Sequence, residues 1–382
     1  MDLSTVTKHH ITLSQFADGG RVRRAIIAIS RLWAWLFLAV MVLFFIIAVP
    51  AAGGATFFTI RNSQNILVAI TPVLLLGLGQ TFVIISSGID LSVGWVMSLG
   101  SVLSAHAIRA TFAWGLPLPF AVLAGFFGAV LGCALVGFVN GLIIAKLKVP
   151  AFIVTLGSSF IVRGVALLLS ENTTVIGLPN GIRDYGNESM FYLVNGPGGG
   201  LYFLHKPDIN TEMLRSLDRI LPWPVVMTAV VVAIAIFVLR RTQFGRYTYA
   251  IGGNLQAAIR TGIPVDRHVV KLYCLSAATA GIAGFLSTLR FTAGSAVVGD
   301  PLLLSSIAAV IIGGVSLFGG AGSIVGTIIG SLIIAVLTTG LVMLNVQAFW
   351  QFIVVGVVVI LAVLIDQSRD LIVGRSRFGR SR

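Results

Sequence analysis

The sequence predicts an all-helical protein that crosses a membrane many times, and three observations carry that expectation. Of 382 residues, 57% are hydrophobic and only 10% charged, against roughly 45–50% and about 25% in soluble domains. The mean hydropathy is +1.00. The apolar residues fall into ten runs of near-span length, separated by polar stretches, where a bilayer asks for about 20 residues per helix. The 43 glycines fit the same class, because small residues let membrane helices approach closely.

Taken in order, residues 1–32 form a polar, cytoplasmic N-terminal segment ending in Arg21, Arg23, Arg24 and Arg31. The run from Trp33 to Val49 resembles a signal peptide, but its leader is long, and an uncleaved first span is expected. Spans follow at about Ile66–Ser87, Val93–Ile108, Leu118–Ala145 and Ala151–Leu169, the first two separated by the break SSGIDLS. A polar loop, residues 170–222, holds six acids and four bases, and its acidic balance places it on the side opposite the basic loops. Further spans are expected at about Trp223–Leu239, Val269–Leu289, Leu303–Phe318, Ile324–Leu344 and Phe349–Ile365, before a basic tail over 366–382. Residues 33–365 thus form one transmembrane domain.

Both termini are expected inside. With ten spans the inner segments hold 18 of the 26 lysines and arginines, as the positive-inside rule requires, and an odd number would misplace the tail or the large loop. The net charge of +13 is therefore a topology signal and not a nucleic-acid footprint. Cys133 and Cys274 lie in apolar runs and read as buried thiols.

No catalytic or metal-binding pattern is present: there is no phosphate-binding loop, no H-E-x-x-H, no G-x-S-x-G and no metal-spaced Cys/His set. An enzyme and a self-contained ATP-driven pump are both disfavoured. Polar groups at membrane depth are costly, so each asks for a reason. Asp90 either caps the third span or lines a path. Gln80, Ser92, Asn140, Thr155, Ser158 and Arg163 either line a hydrophilic path or join helices by hydrogen bonds, and Glu171 offers Arg163 a partner. Gly322, Gly326 and Gly330, with Gly128/Gly132 and Gly137/Gly141, mark tight helix packing. VIISSGIDLSVG at 83–94 echoes VIIGGVSLFGG at 310–320, each reading as a helix end, a break and a restart, a pattern that in transporters lies near the substrate path.

The longest inner interruption is Arg240–Lys271. Within it Asn254 is placed to cap a two-turn helix carrying Leu255, Ala257, Ala258 and Ile259, which Gly262 and Pro264 stop. Such a helix suits contact with a soluble partner.

The runs GQTFVIISSGIDLSVGWVMSLGSV, NGLIIAKLKVPAFIVTLGSSFIVRGVALLLS, RRTQFGRYTYAIGGNLQAAIRTGIPVDRHVVK and IAAVIIGGVSLFGGAGSIVGTIIGSLIIAVL together resemble the permease subunit of bacterial ABC importers for monosaccharides, the ribose and xylose permease family. The likeness covers about Asn65 to Asp366. It implies the ABC importer permease fold in the bacterial inner membrane, a second permease copy, a cytoplasmic ATPase carrying ATP and Mg, and a periplasmic sugar-binding protein. This chain itself would bind no cofactor. It also implies that Ala257, Ala258 and Gly262 form the coupling helix that docks on the ATPase, with Gln256 standing where many importers place an acid. A branched-chain amino acid or nucleoside permease is the alternative substrate class, and an ion-coupled secondary transporter the alternative mechanism. The 170–222 loop is longer than usual in the family: a binding-protein dock, an entrance cap or a tolerated insertion.

Overall fold

A computed structural model describes residues 19–194, 199–204, 206–207 and 217–374. Residues 1–18 of the N-terminal segment, Gly198 in the outer loop, and Arg375, Arg377, Arg380 and Arg382 of the tail lie outside the described residues.

The chain runs α1 (Gly19–Ala51), α2 (Ile60–Ile85), α3 (Val93–Ala113), α4 (Leu118–Leu147) and α5 (Ala151–Leu169). The outer loop holds α6 (Ile182–Asn187), β1 (Ser189–Val194), β2 (Leu201–Phe203) and β3 (Leu217–Pro222). Then come α7 (Trp223–Arg241), α8 (Gln243–Gly253), α9 (Leu255–Arg260), α10 (Val265–Phe291), α11 (Leu302–Ile312), α12 (Ile324–Met343) and α13 (Ala348–Gly374).

α10 lies at the centre, packed on α4, α3 and α2. One apolar cluster joins these helices, with Leu75, Leu76, Phe82, Met97, Ile108 and Phe285 fully buried. A second joins α1, α11 and α12 around Phe45, Ile333 and Leu337. Outward-facing Phe44, Phe120, Leu131, Phe160, Ile161 and Phe237 are exposed, which suits a lipid-facing surface. The glycine repeats do pack helices. A Cβ on Gly326 or Gly330 would lie 1.9 Å from the carbonyl oxygens of Gly313 and Ala309, so α12 rides on the backbone of α11. Gly137 meets the backbone of Tyr273 in α10 in the same way.

The expected count of ten helical spans is not confirmed, although α3 and α13 are helices where two of the spans were expected. Among the described residues seven helices are long and apolar enough to cross a membrane: α1 from Ala34, α2, α4, α5, α7, α10 and α12. α11 has 11 residues, about 16 Å at 1.5 Å per residue, half the thickness of a bilayer core. The apolar run at 303–318 reads as a span by composition, yet Gly313, Gly314, Gly319 and Gly320 end the helix, the last three at positive φ. The missing length comes from residues 292–301, which fold back beside α3: Ser295 N–H donates to Ser101 Oγ (3.1 Å) and Gly299 N–H to Ser98 Oγ (2.9 Å). Irregular backbone is tolerated at that depth because it is wrapped in protein.

The outer loop also departs from an all-helical reading. Its three strands form one antiparallel sheet in the order β2-β1-β3, with Phe191 opposite both Phe203 and Ile220. The sheet has its own small core of Tyr192, Val194 and Leu217, with Tyr202 against it.

Candidate functional site

The inner loop folds as expected and then does more. α7 ends in Arg240 and Arg241, α8 and α9 follow, and α10 begins at Val265. Asn254 is extended, and its side chain accepts the Ala257 N–H at 2.9 Å, satisfying one of the donors a helix start leaves open. The end is a Schellman motif: Gly262, at φ 78°, donates to Ile259 O, and Ile263 N–H donates to Ala258 O. Only glycine takes this conformation without strain.

On α9, Ala258 is buried against its own chain while Leu255 (46%) and Ile259 (51%) stay exposed. They line a shallow cavity of about 730 Å³ with Lys146, Lys148, Ile263 and Arg267. Lys148 also donates to Asp266 Oδ1 at 2.5 Å. The result is two aliphatic side chains on a rigid knuckle beside a basic rim.

The end of α8, which leads into the knuckle, is fastened to both helix breaks. Ser87 Oγ, in the break after α2, points at two carbonyls, Phe318 O at 2.9 Å and Gly252 O at 3.3 Å. Gly320 N–H donates to Ile85 O at 2.8 Å, and Tyr249 Oη donates to Gly322 O at 2.8 Å. The two echoing stretches are therefore in contact, and the end of α8 lies against both. A Cβ on Gly252 would fall 1.7 Å from Ile85 O, and one on Gly319 2.0 Å from Ser87 Oγ.

Deeper in the same break stands a buried polar hub. Asp90 Oδ1 accepts from Ser92 N–H (3.0 Å) and Ser92 Oγ (2.6 Å), and Oδ2 accepts from Ser276 Oγ (2.8 Å) on α10. Gln80 Nε2 donates to Asp90 O at 2.5 Å, and Asn140 Nδ2 on α4 donates to Ser92 Oγ at 3.2 Å. Thr155 Oγ1 on α5 accepts the Leu91 N–H at 3.0 Å. Gln80, Asp90, Ser92, Asn140 and Thr155 are all at most 2% exposed, so five of the seven path candidates form one packed network tying together α2, α3, α4, α5 and α10. Asp90 satisfies the Ser92 N–H, although Ser92 itself holds the cap position of α3.

The other two candidates lie elsewhere. Ser158 is half-buried and Arg163 exposed on α5. Arg163 stacks over the Trp95 ring, 4.7 Å from its centroid, and makes no ion pair with Glu171. Around it α5 is open, since a Cβ on Gly157 or Gly164 would meet nothing within 4 Å.

Ser276, Ser87, Tyr249 and Gly252 escaped the sequence reading. Ser276 had a signal, as a hydroxyl inside an apolar run. The others had none, because Ser87 meets carbonyls 165 and 231 residues away.

Comparison with known proteins agrees with this architecture. Residues 62–363 match the family model described as the branched-chain amino acid transport system / permease component. The chain is 35% identical over 365 residues to the xylose transport system permease protein of Haemophilus influenzae, covering 87% of this chain and 94% of the relative. It is 36% identical over 328 residues to the ribose import permease protein of Bacillus subtilis, covering 86% and 91%. It is 35% identical over 315 residues to the fructose import permease protein of Rhizobium meliloti, covering 82% and 80%. No solved structure gives a significant match. A chain matched along nearly its whole length by such relatives, and folded around two broken helices, belongs to the family of multi-pass bacterial import permeases that includes the ribose and xylose permeases.

Proposed function

We propose that this chain is the transmembrane subunit of an ATP-driven importer that brings a monosaccharide into the cell. ATP and Mg would be bound by a separate ATPase chain, and a periplasmic binding protein would deliver the sugar. The observation that carries this reading is the knuckle at Leu255–Gly262: a rigid cytoplasmic contact, apolar at Leu255 and Ile259, whose neighbour α8 bears on both helix breaks. An ATPase gripping α9 would thereby bias the two breaks together. Such a ligand shifts the permease only by its differential affinity for the outward- and inward-open states.

A second copy of the chain would complete the path. A guanidinium at membrane depth needs a wet or protein neighbour, and Arg163 with Ser158 stands on the open face of α5. Apposed α5 faces would line the route, with the Asp90 hub holding α5 in place through Thr155.

The sugar class rests on the relatives, whose names specify xylose, ribose and fructose. A branched-chain amino acid is the second reading, favoured by the family model's description. The test measures ATP-dependent uptake of labelled xylose, ribose, fructose and leucine, with copurification of an ATPase, for the wild type and for Leu255→Glu/Ile259→Glu. The expected result is sugar uptake and ATPase capture in the wild type, both lost in the variant. ATPase capture and uptake that survive the double substitution would refute the coupling role, and uptake of leucine alone would favour the second reading.

A further inference from the structure

At the outer ends of α4, α7 and α10 lies a cavity of about 390 Å³, within the range of small-molecule sites, roughly 300–1,000 Å³. Its walls are apolar: Val122 from the second turn of α4, Trp223 and Met227 from the start of α7, and Phe285 and Leu289 from the end of α10. These positions lie within about two turns of the outer helix ends, the depth at which acyl chains meet headgroups, and Trp223 is the residue type that marks that interface.

The mouth is charged. Asp184 and Glu188 border the apolar cavity and also a second, polar one of about 230 Å³, which adds Arg183, Lys206 and Arg219. Arg219 spends one donor on Asn187 O at 2.7 Å, and no ion pair joins these acids to these bases among the described residues. A hydrocarbon-lined slot beneath an acidic pair and adjacent basic groups matches a ligand with an acyl chain, a primary ammonium and a phosphate. A purely anionic lipid would meet the two carboxylates. A quaternary ammonium would offer them no N–H.

We propose that this cavity binds a phosphatidylethanolamine-type lipid from the outer leaflet, one chain between α4, α7 and α10, its ammonium on Asp184 and Glu188 and its phosphate on the basic side chains. Because the cavity abuts the base of the sheet, the lipid would brace the outer loop against the bundle. The site does not depend on which solute is carried.

The test is native mass spectrometry of the whole detergent-purified protein titrated with phosphatidylethanolamine, phosphatidylglycerol and phosphatidylcholine. The expected result is preferential retention of phosphatidylethanolamine by the wild type. In Asp184→Asn/Glu188→Gln that preference should fall roughly three- to fivefold, the scale of a partly exposed ion pair. Should that variant fail to fold, Met227→Trp, which fills the slot, should release the lipid. Equal retention of the three lipids, an unchanged preference in the charge variant, or retention in Met227→Trp would each overturn the proposal. So would a disulfide between two copies at M227C, which would give the cavity to the dimer contact.

Discussion

The two ends of the molecule are built differently. At the end that carries α9, this six-residue helix has no core of its own, burying only Ala258, and takes its rigidity from a cap, a Schellman turn and the backbone it leans on. At the outer end the sheet carries a separate core of Tyr192, Val194 and Leu217. Its strand β3 packs on α2, where Arg61 lies 3.9 Å from Asp218, and the adjoining α6 packs on α10, where Asn187 Nδ2 donates to Arg290 O at 3.0 Å. A region without its own core moves with whatever holds it, whereas a region with one can shift as a unit. Under the proposed function the inner end would transmit motion, and the sheet, with its own core, would act as an appendage to it.

Substitutions sharpen the contrast, the largest effect first. Gly252→Ala drives a methyl into Ile85 O, and overpacking of a tight contact costs typically 1–3 kcal/mol or more. Uptake should be abolished and the level of folded protein in membranes should fall. If uptake persists, α8 does not bear on the break. Asn254→Ala removes the α9 cap, worth about 1 kcal/mol. Uptake should drop severalfold and Asn254→Asp should restore most of it, as followed by initial uptake rates. Tyr192→Phe deletes the hydroxyl that accepts the Ser189 N–H at 3.0 Å, a loss of about 1 kcal/mol confined to the sheet. Proteolysis of the outer loop should quicken while uptake stays within experimental error; a large uptake defect would show that the outer end is no appendage.

The contrast also governs what was legible in the sequence. The spans at α2, α4, α5, α7, α10 and α12 announced themselves by length and apolarity, and the α9 ends by Asn254 and Gly262, because capping chemistry is local. The sheet was hidden in a polar loop because its strands, of 6, 3 and 6 residues, are too brief for period-two alternation to stand out. α11 was overestimated because hydropathy counts side chains, while Gly313–Gly320 ends the helix through its backbone. Of the polar candidates, residue type alone marked Asp90, Gln80, Asn140 and Thr155 as significant, but not that they would share one hub, since their partners come from five helices. The same blindness hid Ser87, whose acceptors are backbone atoms that carry no residue-specific signature.

The central claim is that the knuckle and the two breaks move together through Ser87, Gly252 and Gly320. Ser87→Ala removes the hydroxyl between the Phe318 and Gly252 carbonyls without adding bulk, which makes it the most direct probe. The measurement is ATP hydrolysed per sugar imported by the reconstituted importer. A severalfold rise in that ratio, with ATPase binding unchanged, is the predicted result. A ratio equal to wild type would contradict the account.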